Sequence, residues 1–144
     1  KLIRYVPNAN HSLSGEYLTN DLISFFYRLV NNIDLPILEW ELVDGNLDVY
    51  LDYDGEYSVS IWKAFNQDGR DFRLWQEGEL WTKSDMKKNE DNKYNIKLEI
   101  NNTGYQAIMV EFTIDQDSDF PLKISTGPYV LPNSYPYEKY EPLK

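Results

Sequence analysis

The amino-acid sequence predicts an α+β chain. A strand, a histidine-bearing loop and a helix belonging to a larger fold come first, and a small antiparallel β-sandwich of the immunoglobulin or fibronectin type follows. Two observations carry this. Apolar residues recur at helical spacing up to about residue 34 and at a spacing of two after it. Turn pairs such as Asp44-Gly45 and Asp54-Gly55 then cut the second region into seven or eight short strands over roughly 100 residues. The boundary falls at Leu35-Pro36, giving one unit over residues 1–34 and a sandwich with an extended Pro/Tyr tail over residues 35–144.

In order along the chain, residues 2–6 read as a short β-like run stopped by Pro7, which fixes φ and lacks a donor. Residues 8–15, Asn-Ala-Asn-His-Ser-Leu-Ser-Gly, form a turn-rich loop. Then Leu18, Leu22, Phe25, Phe26, Leu29, Val30 and Ile33 mark one broad apolar helical stripe, with Ser14 or Thr19 suited to cap its start. Nothing later has helical periodicity, so this stripe is expected to pack on a sheet, either in this chain or in the missing upstream part, and a charge at Phe26 or Val30 to loosen it. Strands are expected at residues 37–43, 46–52, 57–65, 72–75, 80–81, 94–100 and 105–114, with a last piece near 122–131. Asn101-Asn-Thr-Gly104 is expected to join the strands on either side of it as a hairpin, and residues 85–92 to form a charged, exposed loop. The tail from Pro132 holds three prolines and three tyrosines and is expected to run extended over the surface.

The composition bounds the function. A net charge of −10 argues against nucleic acid and anionic membranes as partners, because both need clustered Lys and Arg. Cysteine is absent, which removes disulfides, thiolate metal sites and a Cys nucleophile. No apolar run approaches the ~20 residues of a membrane span, so no membrane insertion is expected. At 42% hydrophobic and 15% aromatic residues, the chain has ample material for a core. The opening Lys1-Leu-Ile-Arg-Tyr-Val6 reads as a strand already under way, so an upstream portion is expected to supply the rest of the first unit.

Few residues offer chemistry. His11 is the single histidine, on a loop between a strand and an amphipathic helix. That is where α/β-hydrolases carry their triad histidine, and a loop imidazole there can serve as general base. The chain has no Gly-x-Ser-x-Gly elbow, so Ser and Asp partners would have to come from upstream, and this chain alone is not an enzyme. Asp115, Asp117 and Asp119 alternate as in a calcium loop, but Phe120 and Thr126 stand where the loop needs Gly and Glu. A solvated loop is the better reading, and neither metal nor cofactor is expected. Asn10 and Asn101 begin glycosylation sequons, of which Asn101 at a hairpin tip is the more accessible. Trp40, Trp62, Trp75 and Trp81 could line a carbohydrate platform, but their positions favour core packing.

Two segments, Arg4-Tyr-Val-Pro-Asn-Ala-Asn-His-Ser-Leu13 with its following helix, and Phe65-Asn-Gln-Asp-Gly-Arg-Asp-Phe-Arg-Leu74 continued by Trp81-Thr82, together resemble the PhoPQ-activated pathogenicity-related family. The resemblance implies an α/β-hydrolase-like domain upstream with the sandwich appended, and places His11 at the triad histidine. It also implies a branch in social amoebae that includes secreted signals which repress proliferation and repel cells. On that reading the chain is the C-terminal portion of such an extracellular signal, with a cell-surface receptor as partner. The alternative is a serine hydrolase or peptidase with His11 as its base.

Overall fold

The computed structural model describes residues 2–10, 16–99, 103–135 and 138. Helix α1 (Glu16–Val30) is followed by strands β1 (Ile37–Val43), β2 (Asn46–Asp52) and β3 (Tyr57–Asn66). A one-turn helix α2 (Leu74–Glu77) precedes β4 (Thr82–Met86), β5 (Lys93–Lys97), β6 (Tyr105–Ile114), β7 (Leu122–Ser125) and β8 (Tyr129–Leu131).

All strand pairs are antiparallel and form two sheets, ordered β1-β2-β5 and β4-β3-β6-β7, with β8 also alongside β6. Asp44 and Gly45 close the β1–β2 hairpin with φ of 48° and 78°, the paired positive values of a type I′ turn. The chain then crosses at Asp54-Gly55 from the first sheet to the second. Alternation in β2 and β5 sends Leu47, Val49, Leu51, Tyr94 and Ile96 inward, where they meet Val59, Val110, Phe112 and Ile124 of the other sheet. Phe112 is fully buried, and Tyr57 and Tyr94 abut it edge-on at centroid distances of 5.7 and 5.6 Å. The two tyrosine hydroxyls share a hydrogen bond of 2.9 Å between the sheets. Burial and this bond, which the neutral hydroxyl makes, push the Tyr57 phenol well above its ordinary pKa.

Strand β6 is buried on both faces, which explains its nearly continuous apolar run Ala107-Ile-Met-Val110. Ile108, Val110, Phe112 and Ile114 face the core. The other face is covered by the N-terminal arm and α1. Residues 2–6 form no strand: Ile3 accepts one backbone bond from Ser125, and Tyr5 N–H donates to the Ser125 hydroxyl, both at 2.9 Å.

Several expectations need correction. Residues 72–75 are not a strand, because the Asp71 carboxylate takes the Arg73 N–H and bends the backbone into α2, which Gly78 ends at φ 76°. The neighbouring strand is β4 rather than 80–81, and it includes Asp85 of the expected loop. It is an edge strand, polar and mostly exposed, so apolar periodicity could not reveal it. Strands β5 and β6 do not form a hairpin: β5 pairs with β2 and β6 with β3, so the connection between them crosses from sheet to sheet. The region 122–131 is two strands, one after the other along β6.

Of the two places expected to cover helix α1, the sheets of this chain take only part of it. Its inward residues are Asp21, Ser24, Phe25 and Arg28, and Ser24 and Arg28 are both 2% exposed. Arg28 forms an ion pair with Asp115, which also accepts a bond of 2.8 Å from the Tyr53 hydroxyl. Tyr27 stacks on Phe120 at 4.4 Å. Most of the apolar stripe faces water, Phe25 alone packing against the core: Leu22, Ile23, Leu29 and Ile33 are exposed, as are Phe26 at 57% and Val30 at 78%. The ion pair of the buried Arg28 with Asp115 fixes the helix orientation, and the exposed part of the stripe has no cover among the described residues.

Candidate functional site

The two sequence segments singled out above meet on the outer face of the larger sheet. The first is the arm over residues 2–10. Arg4 extends along it and bonds Asp21 of α1 at 3.0 Å, its own neighbour's carbonyl at Tyr5, and Glu111 of β6. Glu111 is 2% exposed and also lies 3.5 Å from Lys83 Nζ of β4. A buried carboxylate with two cationic partners is well satisfied, and the pairing locks the arm, the helix and the sheet together. Further along, Asn8 adopts φ 50°, which Asn tolerates better than most residues. Its side chain bridges the backbone of Trp81 twice, donating to the carbonyl at 2.9 Å and accepting from the N–H at 3.1 Å.

The second segment is the β3–β4 connection. Asn66, at the end of β3, organises it as a hub: its oxygen accepts from the N–H groups of Asp68 and Gly69, and its amide donates to the Asp71 carbonyl at 2.8 Å. Gly104, just before β6, supports the hub, with φ 73° and a hypothetical Cβ only 2.7 Å from the Asn66 carbonyl oxygen. Asp71 is bound by the Arg73 guanidinium and backbone, which lower its pKa to about 2. Phe72 is thereby turned toward Trp81, their rings 6.0 Å apart.

Between these segments lies a cleft of about 810 Å³, within the size range of small-molecule sites. Tyr5, Val6 and Pro7 form one wall and Asp68 to Arg73 the other. Met109 and Pro128 contribute to the lining, and Trp81 lies at the junction. The lining is mixed: apolar and aromatic surface beside two guanidinium groups and several carboxylates.

Sequence-predicted residues fare differently. His11 and Asn101 lie outside the described residues. Asn10 is exposed. Asp115 is committed to Arg28 and Tyr53, whereas Asp117 and Asp119 are solvated, and no acidic group among the described residues is arranged to hold a metal ion. Only Trp40 of the four tryptophans packs against the core; Trp75 is exposed beside Arg73, and Trp81 lines the cleft. The expectation of core packing for all four is therefore corrected. Asn66, Arg70, Phe72 and Gly104 were not anticipated as a unit. The Asn-x-Asp-Gly turn at 66–69 was the signal, but its meeting with the arm is a long-range contact.

Among the described residues no helix is long and apolar enough to cross a membrane. A family model described as PhoPQ-activated pathogenicity-related protein matches residues 1–73, which include the arm and one wall of the cleft. The chain is 25% identical over 162 aligned positions to Autocrine proliferation repressor protein A of Dictyostelium discoideum, covering 95% of this chain and 33% of that protein. It thus spans about a third of the length of the curated relative it matches. No solved structure matches it.

Proposed function

The chain belongs to the PhoPQ-activated pathogenicity-related protein family, and from that premise we propose that it is the C-terminal portion of a secreted autocrine signal that represses proliferation and repels cells. The observation that carries this reading is the similarity to Autocrine proliferation repressor protein A along 95% of the chain. On this reading residues 1–34 are the last strand, histidine loop and helix of a hydrolase-derived scaffold, and residues 35–144 are the recognition module. The exposed stripe of Phe26, Leu29 and Val30 supports the first part, since an apolar helix face of this extent calls for a covering surface. An upstream α/β-hydrolase-like portion of the same protein supplies that cover. The strand order β1-β2-β5 over β4-β3-β6-β7 supports an immunoglobulin or fibronectin arrangement for the second part. The partner is a cell-surface receptor, and Asn101 is the site for a glycan.

The test uses the full-length protein, purified and added to cells whose growth and migration are followed. Slower proliferation and movement away from the source are expected; a protein that changes neither ends the proposal.

A second reading, a serine hydrolase with His11 as general base, is favoured by the anchoring of the arm that leads to it. Arg4 and Asn8 fix the chain up to three residues before the histidine, and a general base needs such positioning. His11→Ala in the full-length protein should then lower hydrolysis of ester or aminoacyl substrates by about 10³-fold or more. Unchanged turnover would remove His11 from the mechanism.

A further inference from the structure

We propose that the cleft between the N-terminal arm and the β3–β4 connection binds a zwitterionic ligand with an apolar side chain, a free amino acid or short peptide. The assignment follows from which charges are already committed. Asp71 is saturated by Arg73, so this pair contributes shape rather than recognition. Arg70 has no carboxylate partner among the described residues: it makes one long bond of 3.4 Å to the Ser134 carbonyl, and the Tyr135 ring stacks at 4.4 Å. A stacked ring covers the face of a guanidinium and leaves its N–H edge free for an in-plane carboxylate.

Asp68 and Glu77 also line the cleft and hold no ion pair among the described residues. Their negative charge, in a chain of net −10, would oppose a simple anion but suits a ligand that carries an ammonium as well. Phe72 and Trp81 supply the apolar surface for a side chain. Preorganisation favours binding: Asn66 and Gly104 hold one wall, and the double Asn8–Trp81 bridge holds the junction with the other. The site stands independently of any catalytic role for His11.

The probe is the dipeptide leucyl-phenylalanine, titrated into this 144-residue chain while the Trp81 indole N–H signal is followed by NMR. A saturable shift is expected. Amidation of the dipeptide's C-terminus and acetylation of its N-terminus should each weaken binding about tenfold, the loss of one charged hydrogen bond. In Arg70→Gln the free and amidated dipeptides should bind alike, with the Trp40 and Trp62 signals unmoved as evidence of an intact fold. Phe72→Ala should weaken both. No saturable shift at millimolar dipeptide overturns the proposal, as does equal binding of all three dipeptides to the unaltered protein. Retained preference for the free carboxylate in Arg70→Gln also overturns it.

Discussion

Removing the Arg4 guanidinium tests whether the N-terminal arm is integral to the sandwich or merely lies on it. Arg4→Met leaves Glu111, which is 2% exposed, without its closest cation. Breaking one half of a buried ion pair costs about 3–5 kcal/mol, because the remaining charge stays desolvated. Two features place this case at the low end. Lys83 Nζ remains 3.5 Å from the other carboxylate oxygen, and the side chains of Arg4 and Asp21 keep 16% and 15% of their exposure, so water reaches the network. The expected loss is about 3 kcal/mol, a fall of roughly 10 °C in Tm for a chain of this size. The double variant Arg4→Met/Glu111→Leu removes both charges and leaves an apolar contact in their place. It should lie within about 1 kcal/mol of the unaltered protein, the difference reflecting partly exposed pairs to Asp21 and Lys83 worth about 0.5 kcal/mol each. Urea denaturation followed by tryptophan fluorescence and circular dichroism measures both. A single variant that loses less than about 1 kcal/mol, or a double variant as unstable as the single one, would refute the reasoning.

Phe26→Asp and Val30→Asp should leave the unfolding free energy of this chain within the ±0.5 kcal/mol typical of surface changes while reducing self-association in sedimentation, because both side chains are exposed. A Tm loss of several degrees would show that face to be covered. Gly104→Ala should cost about 2–3 kcal/mol by thermal unfolding, since it forces a Cβ into a left-handed conformation 2.7 Å from the Asn66 carbonyl. In Arg73→Gln the Asp71 carboxyl, held at about 2, should titrate near its ordinary 3.8 when followed by NMR. Because the folded value is depressed, the Arg73 interaction contributes stability above about pH 4 and loses it as pH falls toward 2; the variant should lack that pH-dependent increment.

How much was legible in the sequence depended on the range of the contacts. Strands β1 and β2 were bounded correctly by alternation and by Asp44-Gly45, because a two-residue I′ turn fixes its own register. Strand β6 was equally plain, since burial on both faces leaves the apolar run Ala107-Ile-Met-Val110 at its centre. Edge strand β4 was misplaced because it buries almost nothing, and α2 was misread because Asp71 competes locally with the strand ladder. In the candidate site, the segments at 4–13 and 65–74 stood out, whereas their convergence did not: Asn8 and Trp81 are 73 positions apart.

By itself, the sequence determined the two regimes, the sandwich class, the acidic surface and the family, because period, composition and motif are local properties. Only the tertiary structure decided the pairing of β5, the orientation of α1 and the making of the cleft. Helical periodicity located the apolar stripe of α1 but could not say which way it faces. The choice lay with Arg28 reaching Asp115 and Arg4 joining Asp21 to Glu111. Those ion pairs span up to 107 positions and turn the polar side of the helix inward. A charge buried beside its partner determines orientation more strongly than an apolar stripe most of which has no surface to cover among the described residues.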